Sequence, residues 1–379
     1  MTPPHPHNAG PRLLMTTDTV GGVWSFSMAL AAELAAQRYQ VVLLTLGPAP
    51  SAGQRAQAAA IPGLELRVTD LALDWMDPQG SDTARVMAAL PAIEREVAPD
   101  IVHVNGHREA NADWRAPVLL TSHSCVATWW QACRGEEPPE AWDAYCQGVA
   151  SALDRAGLWV TPSKALGLAM SAIYQPSRSP TVIWNGTAAK PSAGRRKPLI
   201  LAAGRAWDEA KGFAVLMQAA AGLPWPLALA GWTGVDEEEA AEEAGNPLYL
   251  GRVPPAKMTA LMAKAEIFAA PSLYEPFGLA VLEAALTGCA LVLSDIPTFR
   301  ELWAGAAVFV PPGDMAMLRQ RLDLLIADRP LREDMQRRAR IRASRYGRER
   351  MSAAYRQGYE DLLAGRPYQV RRQMAGGVL

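Results

Sequence analysis

Short apolar runs alternate with segments of helical periodicity along almost the whole chain. RLLMTT (12–17) is followed by a helical stretch from Ser25 to Tyr39, which leads into VVLLTLG (41–47). Strand, helix, strand units of this kind form parallel sheets with helices on both faces, because such buried strands are apolar throughout. The pattern continues through the strand-like runs LELRVTDL, DIVHVNG, PVLLTSH and LWVTPS. The sequence therefore predicts an α/β fold built on a parallel sheet.

A second alternation follows a segment that interrupts the first one. Residues 174–197 are rich in Pro, Ser, Gly and Arg, and the run PLILAAGR (198–205) then starts a new series of strands and helices. A chain of 379 residues has room for two domains of ordinary size. We expect two doubly wound, Rossmann-like domains, at 1–185 and 186–347, followed by a C-terminal helix and a basic tail at 348–379. Ligands of such sheets bind beyond the carboxyl ends of the strands, here in the cleft between the domains.

The charge balance excludes one class of partner. With 37 Lys and Arg against 38 Asp and Glu, the formal net charge is −1, which does not suit a protein that binds nucleic acid through bulk positive charge. No run reaches the roughly 18 apolar residues of a membrane-spanning helix, and the N-terminus lacks the apolar core of a signal peptide, which favours a cytoplasmic protein. Residues 329–379, however, contain 13 arginines and five acidic residues. This basic end is either a solvated helix face or an arm that contacts the inner face of a membrane peripherally.

Two glutamates flank the start of a predicted helix in SLYEPFGLAVLEAALTG. Glu275 follows the strand-like run EIFAAPS, and Glu283 lies eight positions later. Pro276 suits the first turn of a helix, and on a continuous helix the two carboxylates would lie about 12 Å apart, at roughly 1.5 Å of rise per residue. The free amides of that first turn would point at an anion. The pair is either a binding site for an extended ligand or a chance spacing on a surface helix.

Two cations flank the turn that follows PLILAAGR. In GRAWDEAKGF, Arg205 comes directly after the strand, and Lys211 precedes Gly212 and a helix. Arginine binds phosphate oxygens in a bidentate manner and lysine is a compact charge, so the two suit a diphosphate and the charge that builds on a leaving phosphate. Near the start of the chain, Gly21 and Gly22 lie between a strand and a helix, where backbone can approach a phosphate or sugar closely. The alternative for GRAWDEAKGF is a solvated loop with two exposed cations.

One histidine and two tryptophans follow the run PVLLTSH. His123 ends this strand, at the edge where a parallel sheet presents ligands, and Trp129 and Trp130 come shortly after it. The histidine is a candidate for the reacting centre, with a purely structural hydrogen-bonding role as the alternative. The tryptophans are candidates for stacking on a sugar or an apolar acceptor, although we expect at least one to pack in the core.

Two common kinds of site are absent from the sequence. The first strand-to-helix turn reads DTVGGVWS, without the GxGxxG fingerprint of an ordinary NAD(P) dehydrogenase. The four cysteines have neither paired CxxC spacing nor the density of a disulfide framework, so no metal site is predicted.

In order and content, these segments resemble the retaining GT-B glycosyltransferases of family 4. The resemblance rests on TVGGVWSFSMALAAEL, TSHS, VIWNGT, GRAWDEAKGF, LGRV, SLYEPFGLAVLEAALTG, LSDIPTFREL and VPPGD, in this order. It extends from about residue 12 to residue 363, and EPFGL followed by Glu283 is its most specific part. It implies a GT-B fold whose N-terminal domain binds an acceptor, whose C-terminal domain binds a nucleotide sugar, and whose last helix crosses back to the first domain.

The resemblance also implies a role for each matched residue. Arg205 and Lys211 would bind the donor diphosphate. Glu275 would hold a hydroxyl of the donor sugar, and Glu283 would accept from the ribose hydroxyls. His123 would lie at the reacting sugar, so His123, Glu275, Arg205 and Lys211 form the predicted catalytic set. The remaining predicted donor-binding residues offer backbone contacts or lie beside the base: Gly21, Gly22, Arg252, Val253, Phe277, Gly278 and Leu279.

The implied activity is transfer of a hexose-type sugar from a nucleotide diphosphate sugar, with retention of anomeric configuration and without a metal or other cofactor. A UDP-sugar is favoured over a GDP- or ADP-sugar as co-substrate, and the acceptor is a glycan, a lipid-linked sugar or a small molecule. The alternatives are an inactive scaffold that binds sugar nucleotides and a nucleotide-sugar epimerase on the same fold, although epimerases lack EPFGL. The final loop reads DIPTFREL, without the glycine pair of many family members, so no role is assigned to Glu301.

Overall fold

The computed structural model of the chain describes residues 10–187, 189, 196–205, 207–231 and 248–368. These residues form two parallel sheets, with all neighbouring strands paired in parallel. The predicted α/β class, with two doubly wound Rossmann-like units, is confirmed.

The first sheet has seven strands in the order β3-β2-β1-β4-β5-β6-β7. Its strands are Arg12–Asp18 (β1), Gln40–Leu46 (β2), Leu64–Val68 (β3), Ile101–Val104 (β4), Val118–Thr121 (β5), Leu158–Thr161 (β6) and Thr181–Val182 (β7). The helices between them are Gly22–Ala36 (α1), Ala52–Ala59 (α2), Thr83–Val97 (α3), His107–Ala110 (α4), Val126–Arg134 (α5), Asp143–Arg155 (α6) and Lys164–Tyr174 (α7). The expected strands are all present, whereas the expected helix at 139–156 consists of a one-turn 3-10 helix, Glu140–Trp142, followed by α6.

The second sheet has six strands in the order β10-β9-β8-β11-β12-β13. Its strands are Lys197–Ala203 (β8), Leu227–Ala230 (β9), Leu248–Tyr249 (β10), Ala265–Ala270 (β11), Ala290–Ser294 (β12) and Val308–Val310 (β13). The helices that follow are Phe213–Ala220 (α8), Pro255–Lys264 (α9), Leu279–Thr287 (α10), Pro297–Trp303 (α11), Met315–Ala327 (α12), Arg329–Ala343 (α13) and Arg348–Leu363 (α14). In both sheets the strand order reverses beside the first strand, and crevices for ligands form at such switch points.

The last helix, α14, packs on the first sheet rather than on the second. Its Tyr355 and Tyr359 are fully buried in a cluster with Phe26 of α1, and the Phe26 and Tyr355 rings meet edge to face at 5.5 Å. The Tyr359 hydroxyl lies 2.8 Å from Nδ1 of the buried His103, whose Nε2 lies 2.8 Å from the Thr121 hydroxyl. Large buried aromatic rings with satisfied polar atoms stabilise such contacts strongly. The C-terminal helix thus ties the two ends of the chain together.

Most arginines of the C-terminal helices have partners within the fold. Arg332 is buried, and its guanidinium lies 4.8 Å from the ring of Trp225. Exposed members form short-range ion pairs, such as Arg329 with Glu333 at 2.7 Å. These contacts favour a solvated helix face up to residue 368, and residues 369–379 of the predicted basic end lie outside the described residues. Within the described part of the chain, no helix combines the length and apolarity that a membrane crossing requires.

Candidate active site

The two glycines after β1 lie where the two domains meet. Gly21 precedes α1 as its N-terminal cap, and Gly22 is the first residue of that helix. A Cβ on Gly21 would lie 3.4 Å from Nη1 of Arg205, and a Cβ on Gly22 would lie 3.7 Å from Cδ1 of Leu279. The small residues therefore allow the N-terminus of α1 to approach the second domain closely, as a site for a shared ligand requires.

Arg205 lies in the loop after β8 and is partly exposed. Its Nη2 lies 2.8 Å from Oδ2 of Asp208, and its guanidinium lies 5.3 Å from the ring of Trp207. Burial alone would raise the pKa of Asp208, but the hydrogen bond and the charge of Arg205 outweigh burial and lower it. The other oxygen of Asp208 accepts from the indole of Trp129 in α5 at 3.2 Å. The same acid thus holds Arg205 and connects its loop to the first domain.

Lys211 and Glu275 form an ion pair that joins the loops after β8 and β11. Lys211 Nζ lies 2.7 Å from Glu275 Oε2, and the two side chains are only 17% and 18% exposed. Gly212, with φ of +65°, allows this contact, because a Cβ there would overlap the carbonyl of Pro271. Two largely buried charges cost free energy unless each gains further polar partners. The pair is therefore suited to a site that a polar ligand completes.

The helix that carries Glu283 begins later than its sequence indicates. α10 starts at Leu279, so the expectation that Pro276 lies in its first turn is wrong. The cause is Gly278, whose φ of +89° is left-handed and interrupts the helical path. Because Glu275 lies outside the helix, the 12 Å separation expected for the two carboxylates on a continuous helix does not apply.

The amides at the start of α10 differ in part from those expected. Gly278 is the N-terminal cap and Leu279 the first helical residue, so the first-turn amides begin at Leu279. Phe277 precedes the cap, and its side chain is buried at 4% exposure in the second domain's core. Phe277 thus supports the turn through packing, while Gly278 and Leu279 present backbone at the N-terminus of a nine-residue helix.

The remaining donor-side candidates lie at the same edge of the second sheet. Glu283 Oε1 accepts from the Thr187 hydroxyl at 3.1 Å. Burial raises the pKa of Glu283, and the hydrogen bond from Thr187 offsets part of this rise. Arg252, which is exposed, and Val253, which is half-buried, lie in the loop after β10.

His123 is fixed by its neighbours in a neutral state. Its Nε2 lies 2.8 Å from Oδ1 of Asn105, whose amide nitrogen donates to the Thr16 carbonyl at 2.6 Å. Because that amide oxygen can only accept, the His123 proton lies on Nε2 and Nδ1 remains an acceptor. The ring of Phe26 lies 4.4 Å away, edge on. Burial, with a smaller contribution from the charge of His107, lowers the pKa of His123 to about 3, so at neutral pH it acts through hydrogen bonds alone.

The tryptophan pair after His123 is not part of the core. Trp129 and Trp130 are both half-buried on α5, with ring centroids 5.8 Å apart. The expectation that at least one packs in the core is therefore wrong. The reason is that α5 lies at the junction of the domains, where Trp129 reaches the second domain through Asp208.

Sequence reasoning missed a cavity in the first domain beside His123. The cavity is partly open to solvent and lies beyond the carboxyl ends of β1 and β4. Three acidic side chains line it, Asp18, Asp74 and Glu109. The available signal was weak: Asp18 directly follows a predicted strand, but the other two lie in segments without a recognisable motif.

Sequence reasoning also missed a set of contacts that fixes the two domains against each other. Glu301 of α11 accepts hydrogen bonds from the amides of Lys164 and Ala165, at 2.9 and 2.8 Å, in the first turn of α7. The Ser163 hydroxyl donates to the carbonyl of Pro276 at 2.7 Å. A carboxylate at a helix N-terminus is favourable because it meets free amides and the positive end of the helix dipole. Glu301, to which the sequence assigned no role, therefore forms a contact between the two domains.

Two family sequence models match consecutive halves of the chain. The glycosyltransferase family 4 model matches residues 20–189, and the model of glycosyl transferases group 1 matches residues 187–342. The chain belongs to the family 4, group 1 glycosyltransferases. The boundary between the two matches falls at the junction of the two sheets, so each domain of this glycosyltransferase corresponds to one match.

Curated relatives of this glycosyltransferase include mannosyltransferases. It is 33% identical over 176 residues to a phosphatidyl-myo-inositol mannosyltransferase of Mycolicibacterium smegmatis. This match covers 43% of this chain and 45% of the relative. It is 31% identical over 117 residues to the O-antigen chain mannosyltransferase B of Escherichia coli. This match covers 29% of this chain and 31% of the relative. The matched region thus spans less than half the length of each of these relatives.

Solved structures share the fold over nearly the whole length of this glycosyltransferase. A sucrose-phosphate synthase from Thermosynechococcus elongatus has a TM-score of 0.79 at 18% identity, covering 94% of this chain and 100% of that one. HepE from Anabaena, solved in complex with UDP and glucose, has a TM-score of 0.74 at 16% identity, covering 93% and 100%. These likenesses confirm the predicted GT-B architecture.

Proposed function

We propose that this glycosyltransferase moves a hexose from a nucleotide diphosphate sugar to an acceptor hydroxyl, with retention of anomeric configuration and without a metal ion. The observation that carries the proposal is the convergence at the cleft of Arg205, the Lys211–Glu275 ion pair, the N-terminus of α10 and the glycine turn before α1. These groups come from both domains, and together they provide positive charge and free amides at one place.

The donor diphosphate would take the place of protein carboxylates around two cations. Arg205 is already oriented by Asp208, and Lys211 by Glu275. Both cations and the start of α10 would stabilise the charge that develops on the departing phosphate, which is usually the largest electrostatic contribution to such a reaction. Glu275 then retains an oxygen for a donor-sugar hydroxyl, and Glu283, next to Thr187, would accept from the ribose hydroxyls.

The transfer itself needs little basic catalysis from the protein. The bond from the anomeric carbon to the leaving phosphate oxygen breaks through an oxocarbenium-like state, and the acceptor oxygen bonds the same face. The acceptor proton passes to the leaving phosphate oxygen. His123, held neutral with Nδ1 as an acceptor, would orient a sugar hydroxyl rather than carry charge.

The relatives bear on which sugar is transferred. Both relatives described above are named as mannosyltransferases, so mannose is the first hexose to test. For the base we retain UDP ahead of GDP and ADP as the proposal, with all three in the test. A cytoplasmic location accompanies the proposal.

The proposal is tested by thermal stabilisation of the purified protein with UDP, GDP, ADP and their hexose conjugates, in the presence of EDTA. We expect one base to raise the melting temperature, and Arg205→Ala and Glu283→Ala to abolish that rise. Arg329→Ala and Glu333→Gln are matched controls, because both residues are exposed on α13 and pair with each other. If no nucleotide raises the melting temperature at saturation, the assigned donor site is wrong.

A second measurement separates the alternative functions. NMR of the products from the stabilising donor and a mixed acceptor pool should show a glycoside with the anomeric configuration of the donor. An inverted glycoside would contradict retention. Bound donor without transfer or hydrolysis would favour the inactive scaffold, and an epimerised donor sugar would favour the epimerase.

A peripheral membrane role is tested separately from catalysis. Pelleting with anionic vesicles at low and high salt would detect an arm that contacts lipid headgroups. We expect no salt-sensitive pelleting of residues 1–368, because most of their C-terminal arginines already have partners in the fold. Pelleting of that truncated chain would contradict this expectation.

A further inference from the structure

The acidic cavity of the first domain contains a carboxyl group that the fold leaves without a partner. Glu109 lies in the one-turn helix α4 and is 2% exposed. Its Oε2 has no hydrogen-bond partner among the described residues, and it lines the cavity next to Gly106. A Cβ on Gly106 would overlap this carboxylate, so the glycine makes room for it. A buried polar atom left unsatisfied is destabilising, and a bound ligand that pairs with it relieves that cost.

The other two acids of the cavity are held in place by backbone amides. Asp74 accepts from the amides of Trp75 at 2.7 Å and His107 at 3.0 Å. Asp18 accepts from the amides of Val20 and Gly21 at 2.9 and 3.1 Å. Both carboxylates are therefore fixed parts of the cavity wall.

The charge of the cavity is unfavourable for an anion. No lysine or arginine is among the described residues that line it. Burial alone would raise the pKa of Asp74. The hydrogen bond and charge of His107, together with backbone amides, outweigh burial and lower it, so Asp74 is ionised. His123, which also lines the cavity, is neutral. A phosphate group in this cavity would face the carboxyl groups of Asp18, Asp74 and Glu109, with no lysine or arginine among the described lining residues.

The protonation state of Glu109 matches a hydroxyl partner. Burial, followed by the charge of Asp74, raises the pKa of Glu109 to about 8, with Arg108 opposing and Asp18 adding to the rise. A protonated carboxyl both donates and accepts, which matches a hydroxyl, whereas an ammonium group only donates. Nor do the described residues contain a group of three or more His, Cys, Asp or Glu side chains arranged to hold a metal ion.

Apolar and aromatic side chains complete the wall. Trp75 and Tyr145 line the cavity together with Val126. Aromatic faces beside a few fixed polar groups are the usual composition of a sugar-binding pocket, because a sugar ring has apolar faces and a polar rim.

We infer that this cavity binds the acceptor as an uncharged polyhydroxylated ring, a sugar or a cyclitol, that Glu109 binds one of its hydroxyls, and that a phosphate on that ring is rejected. The inference rests on the proposed function, which it deepens by naming the acceptor class. It assigns to Glu109 a specificity-determining contact with substrate.

The test is binding of hexoses and a cyclitol, each paired with its monophosphate and with an amino sugar, measured by saturation-transfer NMR on the full chain. We expect the neutral compounds to bind and the phosphates to bind at least tenfold more weakly. Glu109→Ala should weaken neutral binding at least tenfold and Glu109→Gln less, because the amide also donates and accepts. Glu136→Gln, on an exposed residue after α5, is the control.

A pH series adds a readout that a merely structural role would not change. Neutral-ring binding by the wild type should change as pH passes about 8, where Glu109 loses its proton under the influence of Asp74, Asp18, Arg108 and His107. Binding by a folded Glu109→Gln variant should be flat over that range. Preference for phosphates or amines, binding by no neutral compound, or unchanged binding in both folded variants would overturn the inference.

Failure of the cavity inference and failure of the proposed function would give different experimental results. The nucleotide-induced rise in melting temperature should be the same in wild type and in both Glu109 variants, because Glu109 lies in the first domain's cavity and not among the donor groups. Loss of nucleotide binding in the wild type with intact ring binding would contradict the proposed function alone. Intact nucleotide binding with a preference for phosphorylated rings would contradict only the inference.

Discussion

The two faces of the cleft have opposite electrostatic character. The second domain contributes Arg205, Lys211 and the N-terminus of α10. The first domain contributes Asp74 and Glu109, and the neutral His123 lines the same cavity. The cationic face suits a diphosphate, and the acidic face suits a neutral ring.

The two faces also differ in how their charges are satisfied. Arg205 and Lys211 each have a carboxylate within hydrogen-bonding distance, so a diphosphate exchanges one anionic partner for another. Glu109 of the first domain has an oxygen with no partner in the described chain. The cationic face can therefore exchange one anionic partner for another. The acidic face has an unsatisfied carboxylate oxygen that lowers stability, and ligand binding relieves that cost.

The largest expected effect is on the cationic face. Lys211→Ala removes a charge beside the leaving phosphate and leaves the largely buried Glu275 without its cation. We expect kcat to fall by about 10²–10³, the loss typical for one group that stabilises developing charge. Steady-state kinetics with the stabilising donor measures this effect. Lys257→Ala on the exposed side of α9 is the control, and a loss under tenfold would remove Lys211 from the reacting centre.

The backbone of the same face gives the next largest effect. Gly278→Ala forces a side chain into φ of +89° and places its Cβ 3.2 Å from Phe299, at a cost of roughly 1–2 kcal/mol for the backbone alone. We expect the melting temperature to fall by several degrees and donor affinity to fall about tenfold, because the α10 amides move.

Gly305→Ala separates the two parts of that prediction. Gly305 has a similar φ of +77° with no atom within 4 Å of the added Cβ. It should lose comparable stability and no donor affinity, as measured by nucleotide titration calorimetry. Equal loss of affinity in both variants would show that stability, and not the position of α10, limits donor binding.

The residues of the cationic face can be recognised from the sequence, whereas those of the acidic face cannot. Arg205 and Lys211 belong to one contiguous segment after a strand, and strand ends can be located from hydrophobic pattern. Asp74 and Glu109 lie 35 positions apart and meet only because α4 follows β4 into the same crevice. A one-turn helix such as α4 is too short to show periodicity, so no sequence pattern identifies Glu109.

Backbone conformation set a second limit on prediction from sequence. The apolar spacing of FGLAVLEAALTG indicates a helix, but its start is delayed by a left-handed turn at Gly278. That turn lies close to Phe299 of another element, which the local sequence does not reveal. The contacts of Glu301 have the same character, because the amides that it meets belong to α7 of the other domain.

A smaller effect is expected where the two faces are held together. Glu301→Gln weakens the hydrogen bonds to the amides of Lys164 and Ala165, because a neutral acceptor is weaker at a helix N-terminus than a carboxylate. We expect KM for the donor to rise about threefold to tenfold with little change in melting temperature. Small-angle scattering of the nucleotide-bound protein should show a larger radius of gyration. Unchanged KM and radius would mean that closure does not depend on Glu301.

The smallest expected effect is on the stability of the acidic face, and its sign depends on pH. The pKa of Glu109 is raised to about 8 in the folded chain from an ordinary 4.5, so the folded state binds more protons than the unfolded state between those values. Stability from this group is present below about pH 4.5 and is lost as pH rises to 8. Glu109→Gln cannot ionise, so its melting temperature should exceed that of the wild type by a few degrees at pH 8 and by less at pH 5. Thermal scans across this range measure the difference. A Gln variant that is less stable than the wild type at every pH would mean that Glu109 stabilises the fold and is not kept for ligand binding at a cost in stability.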